Sequence, residues 1–464
     1  MNSFFVPLNR LPLIQVLFFV FLLSGCSDRH EKNQEKKSVT PGATTQEVWK
    51  ANSFYPSISS SAGNQLISVY LPSSWNEKAQ LPALLFFDPH ADGSLPVSKY
   101  KGLAEKYNVI LIGSNTSENG MNFDQSNAIA GSMSNDAILR FKASSQNISV
   151  AGFSGGAKAA LAAASMHPEM CSVVYCGAAF PAGNIQTLPP ALGFAGINDM
   201  NFTEVEGFDV SLDNLSILHA LDEWNGKHEW PDSSTFELAF IWTQLSSATV
   251  SSQIKKNLCE KYLDIQKSKL KSKDVLVREK TLKQMCAFNH GNSVETECKK
   301  ELAELEKNPI LIKRKKEEEK LVADENMRKQ QYVQAFEAAP LTWWESEVKR
   351  LKGNKENASD QRLLGFISLA AYSFSSNGLK QENLAGAEKA IAVYGIADPE
   401  NSEQPFLEAC LLSKKNQPDL AIASIKKSVQ LGINRRSKIE NEADFAALRS
   451  RADFQEILSG LKNP

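Results

Sequence analysis

Ile148-Ser149-Val150-Ala151-Gly152-Phe153-Ser154-Gly155-Gly156-Ala157-Lys158-Ala159-Ala160-Leu161-Ala162 runs from a short β-branched stretch through a glycine turn into an alanine-rich, helix-favouring stretch. A strand that turns this sharply into a helix strains the turn residue and lifts its side chain clear of the sheet. Gly152 and Gly156 flank Ser154 because a Cβ at either place would collide where strand and helix pass closely. Gly-x-Ser-x-Gly in that setting is the pattern of a nucleophile elbow, with Ser154 as the nucleophile. Taken alone, the pentapeptide describes an ordinary Gly/Ser turn equally well. The flanking chain has to decide.

From Trp49 to about Leu245 short apolar runs alternate with helical stretches, the signature of an α/β fold. Residues 65–71 alternate at period two and read as a half-exposed strand. Residues 81–87 are continuously apolar, which suits a strand buried on both faces. Strands are expected again at 108–113, 148–153, 171–176, 191–197 and 217–223, and helices at 97–106, 125–141 and 236–245. Asp199 and His228 each lie just beyond the carboxyl end of an expected strand. In a parallel sheet those ends share one edge, so Ser154, Asp199 and His228 can converge there.

Serine is a weak nucleophile at neutral pH and needs a base, the role read for His228; Asp199 would fix its tautomer. Asp222, Glu223 and Glu229 are rival acids, but they lie too near His228 along the chain to orient it easily. His219 falls inside a strand, His167 at a helix end, His290 in the helical region and His30 in a polar stretch.

Four segments carry a family resemblance: Phe87-Asp88-Pro89-His90, Gly152-Phe153-Ser154-Gly155-Gly156, Gly196-Ile197-Asn198-Asp199 and Gly226-Lys227-His228-Glu229-Trp230-Pro231. Together they make residues 81–245 resemble α/β-hydrolase esterases of the dienelactone hydrolase and polyhydroxybutyrate-depolymerase-like type. The resemblance implies a mostly parallel sheet with flanking helices and a carboxylic-ester hydrolase working through an acyl-enzyme. It implies catalytic Ser154, Asp199 and His228, and an oxyanion hole of backbone N–H groups from Gly155 and the His90-Ala91 loop. No metal and no organic cofactor are implied. Two positions depart from the pattern: Lys227 and Ala91 stand where relatives often carry glycine. The short spacing from Ser154 to Asp199 and on to His228 leaves little chain for a lid, so an open site for polymeric or surface-exposed esters is expected. A peptidase on the same fold stays open, as does a surface lipoprotein that has lost catalysis and acts as a binding scaffold.

Upstream, Arg10 precedes an apolar run at 11–23 that is short for a membrane span and suits a signal h-region. It ends in Leu23-Ser24-Gly25-Cys26, which resembles a bacterial lipobox with Cys26 as the lipid attachment point. Residues 1–26 therefore read as a lipoprotein signal and 27–45 as a flexible tether. The resemblance implies a lipid-anchored protein of the bacterial cell envelope, and Ser27 resembles lipoproteins sorted to the outer membrane. Export would allow disulfides, and one is expected among Cys259, Cys286 and Cys298.

The chain of 464 residues, with 42% hydrophobic and 22% charged residues and a net charge of −2, is long enough for two or three domains and gives no whole-chain argument for nucleic acid. An α/β-hydrolase domain is read at 46–246, a charged helical segment at 247–355 and helical repeats at 356–464. In the charged segment, Lys313-Arg314-Lys315-Lys316 is followed at once by Glu317-Glu318-Glu319, the composition of a solvated helix face rather than a nucleic-acid surface. Trp343 and Trp344 read as helix-docking residues. Residues 405–432 read as helix, turn, helix with Ala409 and Ala421 at a close crossing. They resemble a tetratricopeptide-type repeat, with 447–458 as its capping end and 361–397 as a degenerate pair. The resemblance implies a protein partner or a scaffold role for this region.

Overall fold

The computed structural model describes residues 48–181 and 185–461. The signal, Cys26 and the whole of the tether read from the sequence lie outside the described residues.

Eight strands form one sheet: β1 (Ser53–Ser59), β2 (Leu66–Leu71), β3 (Ala83–Phe87), β4 (Ile110–Ser114), β5 (Ile148–Phe153), β6 (Val173–Cys176), β7 (Ala191–Gly196) and β8 (His219–Trp224). Their spatial order is β1-β2-β4-β3-β5-β6-β7-β8. β2 runs antiparallel to both β1 and β4, and every pairing from β4 to β8 is parallel. This is the α/β-hydrolase class of fold expected from the sequence, and an all-helical region follows it.

Period-two alternation divides the core between the two sheet faces. Leu85, Phe87, Val150, Val173 and Tyr175 face one side, and helices α2 (Phe123–Leu139), α3 (Gly155–Met166) and α4 (Phe202–Asn214) supply the rest of that core. Leu84, Phe86, Ala151, Phe153, Val174 and Phe194 face the other. There α1 (Ser94–Tyr107) and α5 (Ser233–Ser246) cover them, with Tyr100 stacked on Phe236 at 4.0 Å.

Two elements were not anticipated. β1 contains Pro56, which cannot donate to a ladder; it survives because β1 is an edge strand and its register shifts between Tyr55 and Ile58. α4 carries Phe202, Val205, Phe208 and Leu212 on one buried face, a helical spacing that was legible in the sequence.

The described chain divides into two compact units, with boundaries at Glu325/Asn326, Asn354/Lys355 and Arg362/Leu363. The first unit holds the sheet, the chain up to Glu325 and Lys355–Arg362. After α5 it continues through α6 (Ser252–Leu270), α7 (Val275–Phe288), α8 (Ser293–Leu305) and the start of α9 (Pro309–Ala338). These helices are part of the sheet's own packing. Tyr262 of α6 stacks on Phe288 of α7 at 3.9 Å, and Gln284 Nε2 donates to the Leu221 carbonyl on edge strand β8 at 3.2 Å. Covering β8 in this way protects the sheet edge from pairing with another chain. The basic run on α9 is neutralised locally: Lys315 pairs with Glu279 at 2.9 Å and Arg314 with Glu317 at 3.0 Å.

The second unit comprises Asn326–Asn354 and the chain from Leu363. It contains α10 (Leu341–Gly353), most of α11 (Ala358–Lys380), α12 (Leu384–Ala397), α13 (Glu403–Lys414), α14 (Pro418–Gln430), α15 (Arg436–Glu440), a 3-10 turn and α16 (Ala452–Ser459). Ala409 and Ala421 are fully buried in the α13–α14 hairpin. Trp344 docks as expected, fully buried against Phe336, whereas Trp343 stays 40% exposed.

The expected disulfide is absent: Cys259, Cys286 and Cys298 are free thiols, as are the other three described cysteines. Cys286 and Cys298 lie in the same apolar layer beside α7.

Candidate active site

The register that builds the sheet also builds the site. Phe87 lies opposite Gly152, Phe153 opposite Cys176, and Gly196 opposite Trp224. The turns leaving β3, β5, β6, β7 and β8 therefore emerge along one edge.

At the end of β5, Ser154 adopts φ 53° and ψ −124°, a conformation L-residues avoid. It persists because both sides are locked. A Cβ on Gly152 would lie 2.0 Å from the Gly156 carbonyl oxygen, and one on Gly156 would lie 2.0 Å from that of Phe87. The Ser154 amide donates to the Cys176 carbonyl at 2.9 Å, tying the turn to β6.

His228 Nε2 lies 2.9 Å from Ser154 Oγ, and its Nδ1 lies 3.0 Å from both carboxylate oxygens of Asp199. A carboxylate only accepts, so the ring carries its proton on Nδ1 and Nε2 is left to accept from the Ser154 hydroxyl. Asp199 is buried, while the imidazole keeps 22% of its surface. All three residues singled out in the sequence are thus brought into one hydrogen-bonded line.

Asp199 is oriented from behind. The Asn201 amide donates to its Oδ1 at 2.8 Å, and Asn201 Nδ2 donates to the Gly177 carbonyl at 2.9 Å. Gly177, in the turn after β6, has φ +65°, and a Cβ there would sit 2.9 Å from Asp199 Oδ2 and 3.4 Å from His228 Nδ1. Neither residue was singled out from sequence. Asn201 had a legible signal, an Asx-type turn two residues beyond an aspartate. Gly177 had none.

The loop after β3 is held by Asp88, which is buried. Its Oδ1 accepts from the His90 amide at 3.0 Å and its Oδ2 from Trp230 Nε1 at 2.9 Å. Trp230 follows His228 by two residues, so one carboxylate ties the loop after β3 to the loop that carries His228. Ala91 takes φ 53°, the left-handed conformation glycine would adopt freely. Gly155 is the first residue of α3, whose opening amides have no partner within the helix.

The other candidates fall elsewhere. Asp222 pairs with Lys269 at 3.0 Å, Glu223 with Lys280, and His219 approaches Asp209 at 3.6 Å. His167 contacts Glu169 at 2.8 Å and His290 contacts Glu295 at 3.2 Å. Glu229 and Lys227 are exposed. Between β6 and β7 no described residue is helical. In the second unit Cys410, Glu442 and Asp444 bring three possible ligand atoms within 4.8 Å of one another, although Asp444 is already paired with Lys414 at 3.0 Å.

No protein-family model matches the chain, and no curated protein matches it. Among solved structures it is similar to an esterase from Pyrobaculum calidifontis at 14% identity, over 44% of this chain and 85% of that one, with a TM-score of 0.34. It is similar to the fluorophosphonate-binding serine hydrolase F of Staphylococcus aureus at 15% identity, over 41% of this chain and 96% of that one, TM-score 0.33. A ferulic acid esterase gives 13% identity over 41% of this chain and 97% of that one, TM-score 0.35.

Proposed function

We propose that the protein is a serine hydrolase cleaving carboxylic esters through an acyl-enzyme on Ser154. The observation that carries this reading is the unbroken line Ser154 Oγ–His228–Asp199, set on a strained turn at the carboxyl edge of the sheet. Ser154 Oγ attacks the ester carbonyl carbon as its proton passes to His228 Nε2. Asp199 holds the ring and stabilises the imidazolium without taking the proton. The oxyanion is received by the Gly155 and Ala91 amides. The His90 amide is spent on Asp88, which narrows the loop donor to Ala91. Collapse returns the proton to the leaving alkoxide, and water repeats the sequence in reverse on the acyl-enzyme. Each oxyanion donor contributes about 3 kcal/mol to transition-state stabilisation.

The substrate is an ester accessible to a partly open site, since Ser154 and His228 both retain exposed surface. Export and anchoring at Cys26 to the bacterial envelope, on the outer membrane, belong to the same proposal, and so does a protein partner for the repeat-like helices. No described helix is long and apolar enough to cross a membrane.

Labelling the full chain with a fluorophosphonate probe, beside Ser154→Ala, tests the reading. Labelling of the parent and none of the variant is expected. An unlabelled, folded parent would overturn it in favour of a binding protein. Short-chain p-nitrophenyl esters turned over faster than peptide amides are expected, and the reverse preference would make the enzyme a peptidase.

A further inference from the structure

One charged residue far along the chain from the triad meets the turn that carries Asp199, and a second holds it there. Arg362, on α11, donates from Nη1 to the Ile197 carbonyl at 2.8 Å. Its Nε and Nη2 donate to Glu325 Oε2 on α9 at 2.9 and 2.6 Å. Ser359 Oγ donates to the same carboxylate oxygen at 2.9 Å. The guanidinium also lies over the Phe202 ring, 4.8 Å from its centroid. The Arg362 side chain is 9% exposed and that of Glu325 fully buried.

Ile197 and Phe202 bracket Asp199, and the Phe202 amide donates to the Asp199 carbonyl at 2.9 Å. One guanidinium therefore grips both ends of the acid's turn. A buried ion pair returns little net stability, because desolvating two charges offsets most of their attraction. It does impose direction, since the planar guanidinium fork fits only one arrangement of its acceptors. The Asp199 turn is where direction matters, because the Nδ1 side of the imidazole is held by that carboxylate.

We propose that Arg362, itself fixed by Glu325, is a positioning residue for Asp199, so that helices beyond the hydrolase sheet set the geometry of the triad. This rests on reading Ser154, His228 and Asp199 as the active site. A purely structural pair would lower thermal stability while leaving kcat alone. A positioning residue lowers kcat with KM little changed.

The test uses the full chain with Arg362→Gln, Arg362→Lys and the double variant Glu325→Gln/Arg362→Gln, which removes the buried charges together and guards against misfolding of the single variants. Hydrolysis of p-nitrophenyl acetate, thermal melting and the low-field proton NMR signal of the His228 Nδ1–H are measured on each. For Arg362→Gln, a fall in kcat of about 10- to 100-fold is expected, with KM within about two-fold and the low-field signal weakened or exchange-broadened. Arg362→Lys should recover part of kcat, since an ammonium can still reach the Ile197 carbonyl. The double variant should regain melting temperature without regaining kcat. A folded Arg362→Gln or double variant with parental kcat and an unchanged low-field signal overturns the proposal. A parent that shows the signal but turns over no ester defeats the esterase reading, and the NMR arm still decides the positioning claim.

Discussion

Ser154 holds an unfavourable backbone conformation because glycines on both sides let strand and helix close around it, and strain of this kind costs about 1–3 kcal/mol. Gly177 is the less visible counterpart, since its missing Cβ makes room for Asp199 and His228 together. Gly177→Ala should lower kcat for p-nitrophenyl acetate about 100-fold in a chain that still folds, because the added methyl must displace Asp199 or His228. Asp199→Asn should lower kcat further, by about 10⁴-fold, since the amide favours the wrong imidazole tautomer. Asp199 could be preferred over Asp222 from the sequence because only the former follows a strand end with chain enough to reach His228. The fate of Asp222, tied to Lys269 and Gln284, required helices whose docking the sequence does not state.

Between elements, two polar nodes bring distant segments together. Asp88 joins the loop after β3 to the loop after β8 through His90 and Trp230. Trp230→Phe keeps the ring packing but strips one donor from a buried carboxylate, so stability should fall by about 1–3 kcal/mol in denaturant titration. Its kcat should fall more than its KM rises, because the loop that offers the Ala91 amide is loosened. Glu237 on α5 joins α1 and α6, accepting from Tyr107 and Lys261 at 2.5 Å and pairing with Lys106 at 2.8 Å. Burial alone would raise its carboxyl, but these bonds and the Lys261 charge hold it at about 2, below the ordinary 4.5. A depressed acid contributes stability above its unfolded value and loses it as pH falls through the folded one. Glu237→Gln should thus cost about 2 kcal/mol at pH 7, and the deficit should shrink as pH falls from about 4.5 toward 2 in unfolding titrations.

For the whole molecule, the cores are built on different plans, one layered on a sheet and one of paired helices. Calorimetry should resolve more than one unfolding transition, as expected for multi-unit chains. Ala409→Leu overpacks the α13–α14 crossing and should destabilise one transition by about 1–3 kcal/mol while leaving the other in place. A single transition moved as a whole would show that the two cores melt together. Placing the chain up to Glu325 with the sheet is a tertiary fact. The sequence reads 247–355 only as a charged helical segment, yet Tyr262, Gln284 and Phe288 pack its first part onto edge strand β8.

Local chemistry was enough for the parallel strands from β3 to β8, the glycine-flanked turn at Ser154, and the ordered arrival of Asp199 and His228 after strand ends. Each depends on residue type and period over a few neighbours, and those survive in a one-dimensional reading. The β1 edge, the clearance at Gly177, the Asp88–Trp230 tie and the Arg362 grip on the Asp199 turn were decided by tertiary structure. They join atoms supplied by segments far apart in the chain, and such distances come into being only when the sheet closes and the helices dock.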